Sequence, residues 1–198
     1  MKPGTRALGV AESYDGSDEA TDSTLAGAVV RADRVVDGVG FERCTVGGTD
    51  ATESVRALTD RLAREDVRYV FLAGIALAWY NVADLHGVYE VVERPVLSVS
   101  FEESTGLDDA IAAAFDGAER ERRLAIYRDQ PPRHRVAVDG DDVYVRWVGT
   151  DEDTARRVVR EFTPAGGRPE PLRVARLAAR AGHEYRCGDG SGRETRKG

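Results

Sequence analysis

Residues 67–87 read VRYVFLAGIALAWYNVADLHG. Val67–Leu72 is apolar enough for a strand buried on both faces, and Ala73-Gly74 ends it. In a parallel α/β sheet the carboxyl end of such a strand is where ligands and chemistry collect. This one carries no acid, base or nucleophile. It offers Ala73 and Gly74, and further on Trp79, Tyr80 and Asn81.

Working outward, Arg6–Ala11 reads as a first strand, followed by an acidic, turn-rich loop over residues 13–24. Leu25–Ala32 and Val35–Thr45 then form an antiparallel meander. Gly47-Gly48 breaks it, and Ala51–Glu65 places Val55, Leu58 and Leu62 at the spacing of an amphipathic helix. After the buried strand come a helix near Asp84–Val92 and a strand, Val96–Phe101, opened by Pro95. Two helices follow, near Leu107–Phe115 and over Glu119–Arg128, the second ended by Pro131-Pro132. Arg135–Val138 and Val143–Trp147 flank DGDD, a hairpin turn. Helices near Asp151–Phe162 and Pro171–Ala181 close the domain. From His183 the chain is rich in Gly, Arg and Ser, and a disordered tail is expected. The order predicts one α/β domain over residues 1–182. Its sheet is mixed and five-stranded, with three antiparallel strands, then parallel ones, and helices on both faces.

The net charge is −7, and the basic residues are almost all Arg, with Lys only at Lys2 and Lys197. An acidic, Lys-poor surface suits a high-salt cytoplasm, where self-repulsion is screened; high genomic GC content gives the same bias. The charge argues against a general nucleic-acid coat protein but leaves room for a local basic groove. No apolar run is long enough to cross a bilayer and no signal pattern opens the chain, so a soluble, cytoplasmic protein without membrane partners is expected. Cys44 and Cys187 lie far apart, outside metal-ligand or disulfide-framework spacing. His86, His134 and His183 are scattered, and no GxSxG, Walker-type or GxGxxG motif occurs.

Two acids stand near strand and helix ends. Glu12 follows the first strand and could hold a divalent metal with an acid from a neighbouring strand; equally it is a solvated loop acid beside Asp15, Asp18 and Glu19. Asp50, with Glu53 three residues on, has the form of a capping box; functionally it would be a second metal ligand. Gly74 permits close backbone approach of a ligand, and Asn81 could read a base or cap the following helix. Trp79 and Tyr80 could stack on bases, with one of the two expected in the core. Pro169-Glu170-Pro171 starts a helix on which Arg173 and Arg176 share a face.

Five stretches together resemble an archaeal family catalogued as domain of unknown function 99, a relative of endonuclease V. They are ALGVAESY (7–14), VGGTDATES (46–54), LAGIALAWYNVADL (72–85), RPVLSVSF (94–101) and GGRPEPLRVARLAARA (166–181). The last is also similar to an endonuclease V stretch running Pro-Glu-Pro-Thr-Arg. The resemblance implies a ribonuclease H-like fold. It also implies an ancestral activity that cleaves a phosphodiester near a deaminated base, inosine, in DNA or RNA, with magnesium held by clustered carboxylates.

The chain departs from that pattern at the site. Where the family has an aspartate after Gly9-Val10 it has Ala11, with Glu12 next. Where the family has Asp-Gly at the end of the buried strand it has Ala73-Gly74. Where endonuclease V has Gly-His it has Gly149-Thr150. The resulting reading is a nucleic-acid- or nucleotide-binding protein with a weak or inactive nuclease site. Gly48, Gly74, Tyr80, Asn81 and Arg173 would line its groove, and magnesium or manganese would bind weakly or not at all. One alternative is an active metal-dependent endonuclease using Glu12 and Asp50; another is a non-catalytic structural or regulatory protein.

Overall fold

In the computed structural model of the chain, residues 1–16, 20–62, 65–164 and 166–188 are described. The strands are β1 (Arg6–Ser13), β2 (Asp22–Arg31), β3 (Val36–Thr45), β4 (Val67–Leu72), β5 (Ala76–Leu77), β6 (Asn81–Val82), β7 (Val96–Ser100), β8 (His134–Val138) and β9 (Asp141–Val148). The helices are α1 (Ala51–Leu62), α2 (Leu85–Val92), α3 (Asp108–Ala114), α4 (Gly117–Asp129), α5 (Glu152–Glu161) and α6 (Glu170–Gly188).

β1 organises the sheet. On one edge it pairs antiparallel with β2, which pairs antiparallel with β3; on the other it runs parallel to β4, and β4 parallel to β7. Those are the expected meander and the expected parallel pair. The sheet has seven strands rather than five, in the order β3-β2-β1-β4-β7-β9-β8. The additional two are the β8–β9 hairpin, whose second strand docks antiparallel on the edge of β7 that β4 leaves open. Docking there satisfies backbone groups that a buried strand cannot leave unpaired. Asp139 and Gly140 both take positive φ (54° and 92°) in the hairpin turn, as an Asp-Gly turn requires.

Helices cover both faces. Leu8 and Val10 of β1 pack into the larger core with α1 and α2, while Ala7 and Ala11 face the side of α5 and α6. α6 lies close over β1, and a Cβ at Gly9 would come 2.2 Å from the carbonyl oxygen of Pro171, so only glycine fits that crossing. α6 runs through His183 to Gly188, which corrects the expectation of an unstructured tail from His183; residues 189–198 of that tail lie outside the described residues. His183 itself is buried, and this packing carries the helix past the point where composition alone suggested an end. α1 ends at Leu62, and residues 63 and 64 of the longer expected helix lie outside the described residues. Among the described residues no helix is long and apolar enough to cross a membrane.

Candidate functional site at the carboxyl ends of the strands

The Ala73 N–H donates to the Val10 carbonyl at 3.0 Å, so the ends of β1 and β4 meet at one end of the sheet. Ala11 is buried there and, with Ala73 beside it, packs against Ala175 of α6. Gly74 turns the chain away in the left-handed region (φ 85°), and its N–H donates to Val99 of β7 at 3.0 Å. The strand end that lacks a functional group in sequence is thus capped by methyl groups under α6 on one face and opens past Gly74 on the other.

Glu12, next to Ala11, points to the α1 face. Burial raises its carboxyl above the usual range, opposed by Arg176 and by the Ala78 backbone N–H. Its Oε2 is buried without a hydrogen-bond partner among the described residues. Asp18 and Glu19, the loop acids grouped with it in sequence, lie outside the described residues.

Asp50 is held differently. It accepts from the Thr45 hydroxyl (2.7 Å), from the Thr45 N–H (3.2 Å) and from the Asn81 amide. Burial pushes its carboxyl up, but these hydrogen bonds outweigh burial and hold it below the usual range. The expected capping box does not form. Asn81 caps α1 instead, its Oδ1 accepting from the Ala51 N–H at 2.9 Å, while Glu53 pairs with Arg56. Cys44 lies between the two acids; burial, then Asp50 and Glu12, push its thiol up to about 12, so it is a neutral thiol and a poor metal ligand.

The loop after β4 closes over this pair. Ala78, Trp79 and Tyr80 all take positive φ (39°, 54°, 58°), a strained run that persists only where its surroundings over-determine it. The Gly47 N–H donates to the Ala78 carbonyl at 2.8 Å, the Trp79 ring lies over Gly47 and against Phe115, and the buried Arg123 stacks on Phe115 while donating to the carbonyls of Gly47 and Gly48. Gly48 sits under Asn81 and Asp50, where a Cβ would lie 3.1 and 3.0 Å from their side-chain atoms. Asn81 is 0% exposed with both ends of its amide engaged, so it is a clasp between β3, α1 and β6 and faces no groove. Tyr80 packs against the core and Trp79 is 47% exposed, so the aromatic available for stacking is Trp79.

The basic residues also sort differently from their sequence order. Arg173 is held by both oxygens of Glu170, in a shallow pocket with Arg34 from the turn beside the start of β1. Arg176 instead acts on Glu12. Arg168 stacks on Phe101, and burial, with the neighbouring charges of Arg176 and Arg180, lowers its pKa. Arg168, Arg176 and Arg180 therefore form the basic side of the strand ends. Arg168 falls within the stretch 166–181 that carries the resemblance, but nothing in its own pattern singled it out. Thr150 is at the other end of the sheet. Val148 of β9 pairs with Val96 at the start of β7, whereas the β7 residue level with Leu72 is Ser98. An antiparallel β9 carries its last residues away from Ala73.

The carboxylate donors at the strand ends are few for a magnesium ion. That ion takes oxygen ligands in near-octahedral array, anchored by one or two carboxylates. Glu12 has one unoccupied oxygen, Asp50 spends its oxygens on Thr45 and Asn81, and Ala11 and Ala73 contribute none. Among the described residues no three His, Cys, Asp or Glu side chains group to hold a metal.

Comparison with known proteins fits this architecture. A UPF0215 protein of Pyrobaculum aerophilum is 34% identical over 179 residues, 90% of this chain and 94% of the relative. The crystal structure of a protein of unknown function from Archaeoglobus fulgidus superposes with a TM-score of 0.78 at 28% identity, covering 89% of this chain and 96% of that one. Endonuclease V of Ciona intestinalis, in complex with DNA containing an inosine, shares the fold at a TM-score of 0.61 and 10% identity, covering 91% and 87%. The model of the family described as endonuclease dU matches residues 3–182. With that match spanning nearly the whole described chain, the protein belongs to the endonuclease dU family.

Proposed function

We propose that this protein binds nucleic acid or a nucleotide at the carboxyl ends of β1 and β4 and cleaves it weakly or not at all. The observation that carries the reading is the pairing of Ala11 and Ala73 at adjoining strand ends, packed under α6, beside Arg168, Arg176 and Arg180. The strand order, with β2 antiparallel between the edge strand β3 and the parallel set β1-β4-β7, supports a ribonuclease H-like ancestry. In that ancestry a carboxylate at each of these strand ends would position metal and water. Here the basic side remains and the paired acids do not. The family description points to deoxyuridine and the Ciona structure to inosine, so a deaminated base is the first substrate class to try.

The test is binding and cleavage of single-stranded and duplex DNA and RNA carrying deoxyuridine or inosine, with magnesium or manganese, across a wide salt range. Binding is expected, tighter for single strands than for duplex because stacking on Trp79 needs an unpaired base, and weaker as salt rises. Arg176→Ala should weaken it several-fold. Efficient cleavage by the unmodified protein would overturn the reading.

One observation favours a second reading, an active endonuclease. The bare Oε2 of Glu12 is a buried oxygen without a partner among the described residues. In that case Glu12→Gln abolishes cleavage.

A further inference from the structure

On the face of the sheet opposite α6, a cavity of about 290 Å³ opens past Gly74 between the ends of β4, β7 and α4. Ser98, Ser100, Tyr127, Arg133, Tyr144 and Arg146 line it. Neither arginine has an ion-pair partner among the described residues. Arg133 donates to the Ser100 hydroxyl (3.0 Å) and to the carbonyls of Glu102 and Ser104, and lies 4.1 Å over the Tyr144 ring. Arg146 donates to the Pro131 carbonyl and to the Tyr127 hydroxyl (3.5 Å). The Glu102 carboxylate is at the exposed rim and within ion-pair distance of neither. Burial, then the charge of Arg146, lowers the pKa of Arg133, the mark of two like charges sharing a half-closed space.

The hydroxyls point the same way. Tyr127 accepts at its hydroxyl from Arg146 and from the Leu107 N–H (3.1 Å), and its own proton has no acceptor among the described residues. The Ser98 side chain, 4% exposed, also has no partner among them. Two guanidiniums held by neutral partners, with hydroxyl protons unspent, are costly to keep together unless an oxyanion joins them. Ile75, Leu107 and the tyrosine rings supply flat, apolar walls, and the volume suits a small ligand.

We propose that this cavity is a phosphomonoester site of mononucleotide size. Arg133, Arg146 and Tyr127 would take the phosphate, and the tyrosine rings and Ile75 the base. The inference rests on the same placement of ligand at the end of β4 and deepens it, since it names a phosphomonoester and requires neither a polymer nor cleavage. The ligand is either a free nucleoside monophosphate or the phosphorylated end of a strand, which share this chemistry.

Calorimetric titration of the full chain tests it with inorganic phosphate, a nucleoside 5′-monophosphate, the same nucleoside without phosphate, and an oligonucleotide with or without a 5′-phosphate. The monophosphate should bind at least tenfold more tightly than phosphate or nucleoside. A matching preference for the 5′-phosphorylated oligonucleotide over its 5′-hydroxyl form would assign the strand end as well; no such preference would restrict the site to free nucleotides. Arg146→Gln should cost tenfold or more in affinity. Tyr127→Phe keeps the ring and should still cost several-fold, which decides the matter if the arginine variant does not fold. Equal affinity for nucleoside and monophosphate overturns the inference. So does an unchanged affinity in folded Tyr127→Phe and Arg146→Gln, or a loss of binding only in Arg176→Ala on the other face.

Discussion

Glu12 and Asp50 border the same buried thiol, yet the fold treats them in opposite ways. Asp50, in the β3–α1 loop, is wrapped by donors that favour its charge. Glu12, at the end of β1, is desolvated and short of donors, with Arg176 as its main compensation. Such a contrast separates a structural carboxylate from an available one. The first has spent its lone pairs on holding a loop; the second keeps a lone pair at the cost of burying a poorly satisfied charge.

The largest effect should come from the clasp that occupies Asp50. Asn81→Ala leaves the Ala51 N–H without its acceptor and takes one donor each from the Thr45 carbonyl, which keeps the Gly48 N–H, and from Asp50 Oδ1, which keeps the Thr45 N–H, and should cost about 2–4 kcal/mol in chemical denaturation. A loss well under 1 kcal/mol would mean that the loop holds without the amide, and the contrast with Glu12 would dissolve.

Next is pH. Because the folded-state pKa of Asp50 is lowered, its carboxylate contributes stability that is complete above the unfolded value, about 3.9, and is lost as pH falls through the folded value. Glu12 has the opposite sign. Its folded-state pKa is raised, so stability falls as pH rises from the unfolded value, about 4.3, through the folded one. Denaturation midpoints across this range should show Asp50→Asn flattening the acid loss and Glu12→Gln removing the decline above it. Glu12→Gln should be neutral or stabilising at pH 7, by an amount of order 1 kcal/mol. A clear destabilisation would show that the Glu12 charge is better satisfied than its contacts indicate.

The smallest expected effect, and the sharpest for function, is a gain. Ala11→Asp with Ala73→Asp should raise manganese affinity measurably above wild type, in a non-additive way because both acids would serve one ion. Ala11 packs against Ala175, so that substitution should also lower stability, and the metal titration belongs below the midpoint of the double variant. No gain in metal binding by a folded double variant would remove Ala11 and Ala73 from any ancestral metal site.

Much of this architecture was legible before folding because its signals are local. An unbroken apolar run marks β4, Asp-Gly marks the β8–β9 turn, and Pro171 marks the start of α6. The meander and the parallel pair follow from the order of such segments. The resemblance to endonuclease V is what set Ala11 and Ala73 against acids of the family pattern, since both stand at or near the ends of strands that the sequence marks. The hairpin was legible but its place in the sheet was not, since pairing of β9 with β7 joins residues some fifty positions apart and no local pattern encodes an open sheet edge.

The chemistry of single residues depended still more on tertiary structure. Asn81 could cap the helix after it or face a ligand, and it does neither. It caps a helix that begins thirty residues earlier. Arg173 and Arg176 share a face in sequence, but Glu170 neutralises the first and Glu12 engages the second. Arg133 and Arg146 carry no motif at all; they become a pair only when β9 is laid beside β7 and the end of α4 beside both. Sequence marked the long strands, the antiparallel meander, the parallel pair and the family resemblance. Which carboxylate is spent, which arginines stand uncompensated and which strand end is open were decided by tertiary structure, because charge and hydrogen-bond satisfaction depend on groups brought together across the chain.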